Sequence, residues 1–314
     1  VNLKDYKGVK IKSVPTFENG KLNAIVYSVI ATFLALFGRY DVIHFHAEGP
    51  CSMIWLPHLF GIHTVATIHG LDWQRAKWGG FATKFLKFGE KTAAKYADEL
   101  IVLSEGTRDY FKKTYGRETV FIPNGIDVQN EKKADIITKK YGLEKDGYIL
   151  FLARIVPEKG LHYLIDAFMQ TDTDKKLVIA GGVSHSGEYA KQIHDMAKDD
   201  RIIFTGFVEG DELWELYYNC RMYVLPSDVE GMPISLLEAM ACGCECLVSN
   251  IDTAKNVVGE YGYTFKKSDV NDLKNKLCEM LGKPKADKAE QIEYVKNNYS
   301  WDEITDRTLE LYKK

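Results

Sequence analysis

Runs rich in β-branched and aromatic residues alternate with helical stretches along the whole chain, in two successive series. The first series reads VKIKSVP (Val9–Pro15), DVIHFHA (Asp41–Ala47), HTVATIHG (His63–Gly70), ELIVLS (Glu99–Ser104) and TVFIPNG (Thr119–Gly125), with helical stretches at about 21–37, 50–60, 80–97 and 105–114. The second reads YILFLAR (148–154), KLVIAGG (176–182), RIIFTGFV (201–208), RMYVLPS (221–227) and CECLVSN (244–250), with helices at about 160–170, 187–198, 211–219 and 233–242. Nearly continuous apolar strands are what a parallel sheet buried on both faces requires. Strands that alternate with helices twice over predict an α/β protein of two doubly wound, Rossmann-like parallel-sheet domains. The expected boundaries are 1–127, 128–295 and a closing amphipathic helix in 296–314 that packs back toward the first domain. The first series opens without a glycine-rich strand–turn–helix, so that domain is expected to be incomplete at its front.

Apolar residues make up 46% of the 314 and charged residues 27%, enough for two separate cores. The formal net charge of -3 gives no reason to expect a nucleic-acid partner. It is unevenly spread, +4 over residues 1–127 and -7 over the remainder. Six cysteines are too sparse for a disulfide framework, and a reducing, cytoplasmic setting fits them best. Cys242, Cys244 and Cys246 alternate in a strand-like run with no second cluster nearby, so no metal is expected there. The apolar segment Ala24–Phe37 falls short of the ~20 residues that span a bilayer and reads as a helix packed on a sheet.

Two acids in DVEGMPISLLEAMACG (228–243), Glu230 and Glu238, stand eight residues apart around the start of a helix. Pro233 suits its first turn, and the free N–H groups of residues 232–236 would form an anion site at the positive end of the helix dipole. The two acids lie roughly 10–12 Å apart along such a helix. That is too far for a glycosidase-type pair, which needs about 5–9.5 Å, so they would touch different parts of one long ligand. Arg154 and Lys159, in ARIVPEKG after a buried strand, would lie at the carboxyl end of the sheet, where cations can meet a departing diphosphate. Each feature alone is equally a solvated helix or turn. Thr171–Asp174, TDTD, is read as a turn and not as a metal site.

Together, Arg-x4-Lys followed by Glu-x7-Glu, with IPNGID, GFV and YVLPS in the same order, resembles the retaining glycosyltransferases of family four, which have the GT-B fold. The resemblance covers about residues 41–314 and implies roles by position. Arg154 and Lys159 would bind the donor pyrophosphate, and Gly231, Met232, Pro233, Ile234 and Ser235 would cap its phosphates. Glu230 would face the donor sugar and Glu238 the ribose diol, while Phe207 and Val208 would flank the base. His69, ending ATIHG, would reach the sugar or the acceptor, with His44 and His46 on a neighbouring strand as lesser candidates. Glu230, His69, Arg154 and Lys159 are the catalytic set this resemblance implies. The donor is a nucleotide sugar acting as substrate, with no cofactor and no metal. Glu245 stands where the family often has proline, which leaves donor selectivity near that loop open.

HAEGP and HGLDWQRAKWGG bring the chain nearest to bacterial transferases of capsular and surface polysaccharides, including rhamnosyltransferase-like members, whose acceptors are commonly lipid-linked saccharides. Lys84, Lys87, Lys91 and Lys95 line one helical stripe beside Phe81, Phe85 and Phe88. Such a face suits an anionic membrane, and equally a helix with buried phenylalanines and solvated lysines. The expectation is a peripheral enzyme at the inner face of the plasma membrane. A UDP-sugar 2-epimerase of the same fold and a non-catalytic nucleotide-sugar-binding module are the alternatives.

Overall fold

The computed structural model describes residues 4–16, 23–74, 79–183 and 187–313. Two compact units emerge, Val1–Ile122 with Arg307–Lys314, and Pro123–Asp306.

In the first unit β1 (Asp5–Tyr6) and β2 (Val9–Lys10) precede α1 (Asn23–Leu36), β3 (Val42–His46), α2 (Glu48–Cys51), α3 (Trp55–Leu59), β4 (His63–Ile68), α4 (Phe81–Tyr96), β5 (Glu99–Val102), α5 (Glu105–Tyr115) and β6 (Val120–Phe121). Strands β3-β4-β5-β6 form a four-stranded sheet, parallel throughout. Its core holds Phe45, Ile54, Ala66, Ile68, Leu100, Val102 and Phe111. Ser104 caps α5 by accepting the Thr107 N–H, and Gly116 ends that helix in the left-handed region.

Two expectations fail here. Val9–Pro15 is not a parallel strand: only Val9 and Lys10 pair, antiparallel, with Tyr6 and Asp5. Both residues are exposed, so no buried face holds them to a sheet. The helix expected over 50–60 is two short ones, α2 and α3, separated by turns at Ser52–Ile54. α1 forms but packs on α2 and α3, with Ser28 and Thr32 inward and Tyr27, Phe33 and Leu34 exposed. α4 sits close on α2 because Gly89 has no side chain; a Cβ there would lie 1.8 Å from the Glu48 carbonyl oxygen.

The second unit contains α6 (Ile136–Tyr141), β7 (Tyr148–Leu152), α7 (Leu161–Met169), β8 (Lys176–Ala180), α8 (Gly187–Met196), β9 (Ile202–Gly206), α9 (Gly210–Asn219), β10 (Met222–Leu225), α10 (Ile234–Ala241) and β11 (Cys246–Ser249). It continues with α11 (Asp252–Val258), β12 (Tyr263–Phe265), α12 (Val270–Leu281), α13 (Ala289–Asn298) and α14 (Trp301–Tyr312), whose last residues count with the first unit. The six-stranded parallel sheet has the order β12-β11-β10-β7-β8-β9. From β7 the chain winds outward through β8 and β9, then returns to place β10 on the other side of β7. This reversal creates a crevice at the carboxyl ends of β7 and β10. Ile149, Phe151, Leu164, Phe168, Leu177, Ile179 and Val224 are buried in the core of this unit, each contributing about 1.5–3 kcal/mol by burial.

Candidate active site

The loop after β7 carries Arg154 and Lys159, and the loop after β10 carries Glu230, so the reversal of strand order brings these residues together. The first loop closes in a 3-10 turn, Pro157–Lys159. Gly160 follows at φ 66, and a Cβ there would lie 2.0 Å from the Pro226 carbonyl oxygen. Only glycine lets the two loops come this close. The Asp228 N–H donates to the Glu158 carbonyl at 2.9 Å, and the Asp228 carboxylate accepts from Tyr163 (3.2 Å) and Ser268 (2.7 Å).

Lys159 Nζ donates to Glu230 Oε1 at 2.6 Å, with side chains 15% and 6% exposed. Ser227 Oγ donates to the same oxygen at 2.6 Å. Arg154 is exposed, and its guanidinium makes no ion pair or hydrogen bond among the described residues. One cation is therefore neutralised by a buried carboxylate, and the other is open to an anion.

α10 starts one residue later than expected. Pro233 is its N-cap in an extended conformation, not its first helical residue. The Pro233 carbonyl accepts the Leu236 and Leu237 N–H groups at 3.1 and 3.3 Å, which removes residue 236 from the expected anion site. Among the described residues nothing accepts the N–H groups of Gly231, Met232, Ile234 and Ser235. Asn124 of the PNG turn steadies this approach through its own N–H to Met232 Sδ (3.1 Å) and Nδ2 to the Met232 carbonyl (3.4 Å).

Glu238 lies further along α10 and is set apart from Glu230 by its partners. Tyr217 Oη donates to its Oε2 at 2.8 Å, and no described residue takes Oε1. Burial pushes the Glu238 carboxyl above its usual range, opposed by the Tyr217 hydrogen bond. Ser235 Oγ meets Tyr223 Oη at 2.8 Å. After β9, Phe207 is 75% exposed while Val208 is buried, so the two do not present one continuous wall. His69 directly follows β4 in the first unit, exposed, with Nε2 3.1 Å from His46 Nδ1. No group of three or more His, Cys, Asp or Glu among the described residues could hold a metal ion.

The description "Glycosyl transferases group 1" matches residues 133–298, and "Glycosyltransferase Family 4" matches residues 3–130. The chain belongs to the group 1 glycosyltransferases. The alpha-maltose-1-phosphate synthase of Mycolicibacterium smegmatis is 26% identical over 288 residues, covering 82% of this chain and 74% of its own length. The UDP-Gal:alpha-D-GlcNAc-diphosphoundecaprenol alpha-1,3-galactosyltransferase of Escherichia coli is 27% identical over 259 residues, covering 76% of this chain and 66% of its own. The crystal structure of Anabaena Alr3699/HepE in complex with UDP and glucose superposes at a TM-score of 0.79 with 19% identity, covering 94% of this chain and 83% of that one. The fold is GT-B, built on the two parallel α/β sheets.

Other residues around this candidate site carry no local sequence signal for their contacts. Ser227 is the last residue of YVLPS, and nothing local signals that it holds Glu230. Tyr217, from α9, gave no signal at all. Glu245 is buried and paired with Arg221, whose guanidinium also donates to the Met280 and Lys283 carbonyls. Its second oxygen accepts the Ala286 N–H at 3.0 Å. This acid therefore ties the start of β11 to the start of β10, and such a pair is costly to break.

Proposed function

We propose that this glycosyltransferase transfers a sugar, with retention of configuration, from a nucleoside diphosphate donor to a saccharide or lipid-linked acceptor in surface-polysaccharide synthesis. The observation that carries the reading is the meeting of Lys159 with Glu230 across the β7/β10 reversal, beside an unpaired Arg154. Breaking the bond from the sugar C1 to the phosphate oxygen leaves charge on the diphosphate. Arg154, Lys159 and the free N–H groups of Gly231, Met232, Ile234 and Ser235 meet that charge where it develops. Donor binding draws Lys159 toward the phosphate, and Glu230 turns to the sugar hydroxyls. Glu238 Oε1 takes the ribose diol, Phe207 and Val208 flank the base, and His69 meets the sugar or the acceptor. A front-face substitution, in which the leaving phosphate accepts the acceptor's proton, needs no enzyme nucleophile. UDP in the HepE structure and the UDP-galactose named for the Escherichia coli relative support a nucleotide-sugar donor. The transferred group is a hexose or a deoxyhexose such as rhamnose.

Thermal shift with UDP, GDP, dTDP and their sugars tests this. One nucleotide at 100 times its Kd should stabilise the chain by about 2.7 kcal/mol, and Arg154→Ala should weaken that shift. No shift with any nucleotide, or an undiminished shift in the variant, would overturn the reading. Product NMR separates glycoside formation from epimerisation of the donor.

The acceptor side is proposed to meet an anionic membrane. Lys84, Lys87, Lys91 and Lys95 are all exposed on α4, and Phe81 and Phe88 beside them are 72% and 52% exposed and not in the core. No described helix is long and apolar enough to cross a membrane, and the contact proposed is a peripheral one through α4. The diphosphoundecaprenol in the relative's name is consistent with a lipid-linked acceptor. Each lysine near an anionic surface contributes about 1 kcal/mol. Lys84/Lys87/Lys91→Glu should therefore abolish flotation with anionic liposomes. Unchanged flotation, or none by the wild type, would count against membrane contact.

A further inference from the structure

Three histidines of the first unit form one continuous array. His44 and His46 project from the same face of β3, two residues apart, and their rings stack at 4.2 Å between centroids and 26° between planes. His69 stands just past β4, two residues beyond Thr67, the register partner of His46. Its ring lies 5.3 Å from that of His46 at 27°, and the nitrogens His46 Nδ1 and His69 Nε2 are 3.1 Å apart. The far end of the array is held at both ring nitrogens. His44 Nδ1 meets Tyr312 Oη of α14 at 2.6 Å, and His44 Nε2 meets Thr67 Oγ1 at 2.8 Å. The Ala47 N–H donates to the Thr67 carbonyl at 2.9 Å, carrying the ladder past His46, and Ala47 then turns at φ 71.

We propose that His46 is a positioning residue for His69, fixing its imidazole in one orientation and one tautomer, with His44 and Tyr312 as the anchor behind it. Two facing ring nitrogens at 3.1 Å share one hydrogen: one ring presents N–H and the other a lone pair. A hydrogen on one facing nitrogen excludes a hydrogen on the other, so the tautomers of His46 and His69 are locked together. Burial, then the neighbouring imidazoles, push His44 down to about 3, and burial, then His69, lower His46. Both rings are neutral near pH 7, as a shared N–H···N contact requires. The inference rests on the reading of His69 as a group that meets the sugar or the acceptor.

The test uses the full chain with 15N-labelled histidine. His46→Phe keeps a ring in the stack and removes the nitrogen, whereas His46→Asn returns a hydrogen-bonding group near the place of Nδ1. Long-range 1H–15N spectra should show His69 in a single tautomer in the wild type and an averaged pair of shifts in His46→Phe. The same variant should lose about 10-fold in kcat, as for partners that orient a functional group, with the donor KM little changed and most of the loss recovered by His46→Asn. An averaged tautomer in the wild type, or equal kcat for the Phe and Asn variants, would overturn the proposal. Full transfer by His69→Ala would instead remove the reading beneath it, since the tautomer measurement needs no turnover.

Discussion

Lys159→Ala should lower kcat/KM for sugar transfer by roughly 30- to 1,000-fold, the equivalent of about 2–4 kcal/mol of lost stabilisation for charge developing on the leaving diphosphate. The substitution also acts before any donor binds. Lys159 is the ion-pair partner of a Glu230 side chain only 6% exposed, so its removal leaves a buried carboxylate with Ser227 as its remaining side-chain donor. A lower Tm is therefore expected as well, and kinetics belong well below the variant's own midpoint. Arg154→Ala separates the two effects. Arg154 is exposed, and its side chain has no partner among the described residues, so its loss should leave Tm within a degree or so of the wild type while still weakening donor binding. Transfer within threefold of wild type for both variants would show that the cations after β7 do not meet the leaving group.

The central strands were legible in the sequence because burial on both faces leaves its mark on every residue. Tyr148–Leu152 and Lys176–Ala180 match the apolar runs to within two residues of their ends. Val9–Pro15 has comparable letters but joins no parallel sheet, because pairing depends on a neighbour that local pattern does not specify. β12 was missed for the opposite reason: it is three residues long, and its place at the sheet edge depends on β11. At the site, the sequence supplied Arg154, Lys159, Glu230 and Glu238 through their spacing. The contacts that set their states come from elsewhere in the chain. Tyr217 reaches Glu238 from α9, 21 residues back. Arg221 and Glu245 meet because β10 and β11 run side by side with Tyr223 opposite Cys246. Nothing local to Glu245 signals that it is buried against Arg221.

Glu48→Gln should make the protein more stable at neutral and alkaline pH, an unusual direction for a substitution in a core. Glu48 is fully buried, and neither carboxyl oxygen has a hydrogen-bond partner among the described residues. Its neighbour Glu90, equally buried, is well supplied, accepting from Trp73 Nε1 (2.8 Å), Tyr110 Oη (2.8 Å) and Tyr115 Oη (2.5 Å). Burial first, then the Glu90 and Asp72 carboxylates, push Glu48 up from 4.5 to about 9, so at pH 7 it is a neutral acid. The unfolded chain releases that proton near pH 4.5 and the folded chain only near 9. Between these values the folded state binds the extra proton, so stability falls as pH rises, and the loss is complete above about 9. At pH 7 the cost is on the order of 3 kcal/mol. Glutamine keeps the shape without the titration, so the variant's melting temperature should exceed the wild type's by a margin that widens from pH 5 to pH 9. Glu90→Gln should do the reverse, since its amide nitrogen would turn a donor toward Trp73 or the two tyrosine hydroxyls. A Glu48→Gln protein that melts no higher than wild type at pH 8 would mean that Glu48 is ionised and paired, and that the neutral acid between β3 and α4 does not exist.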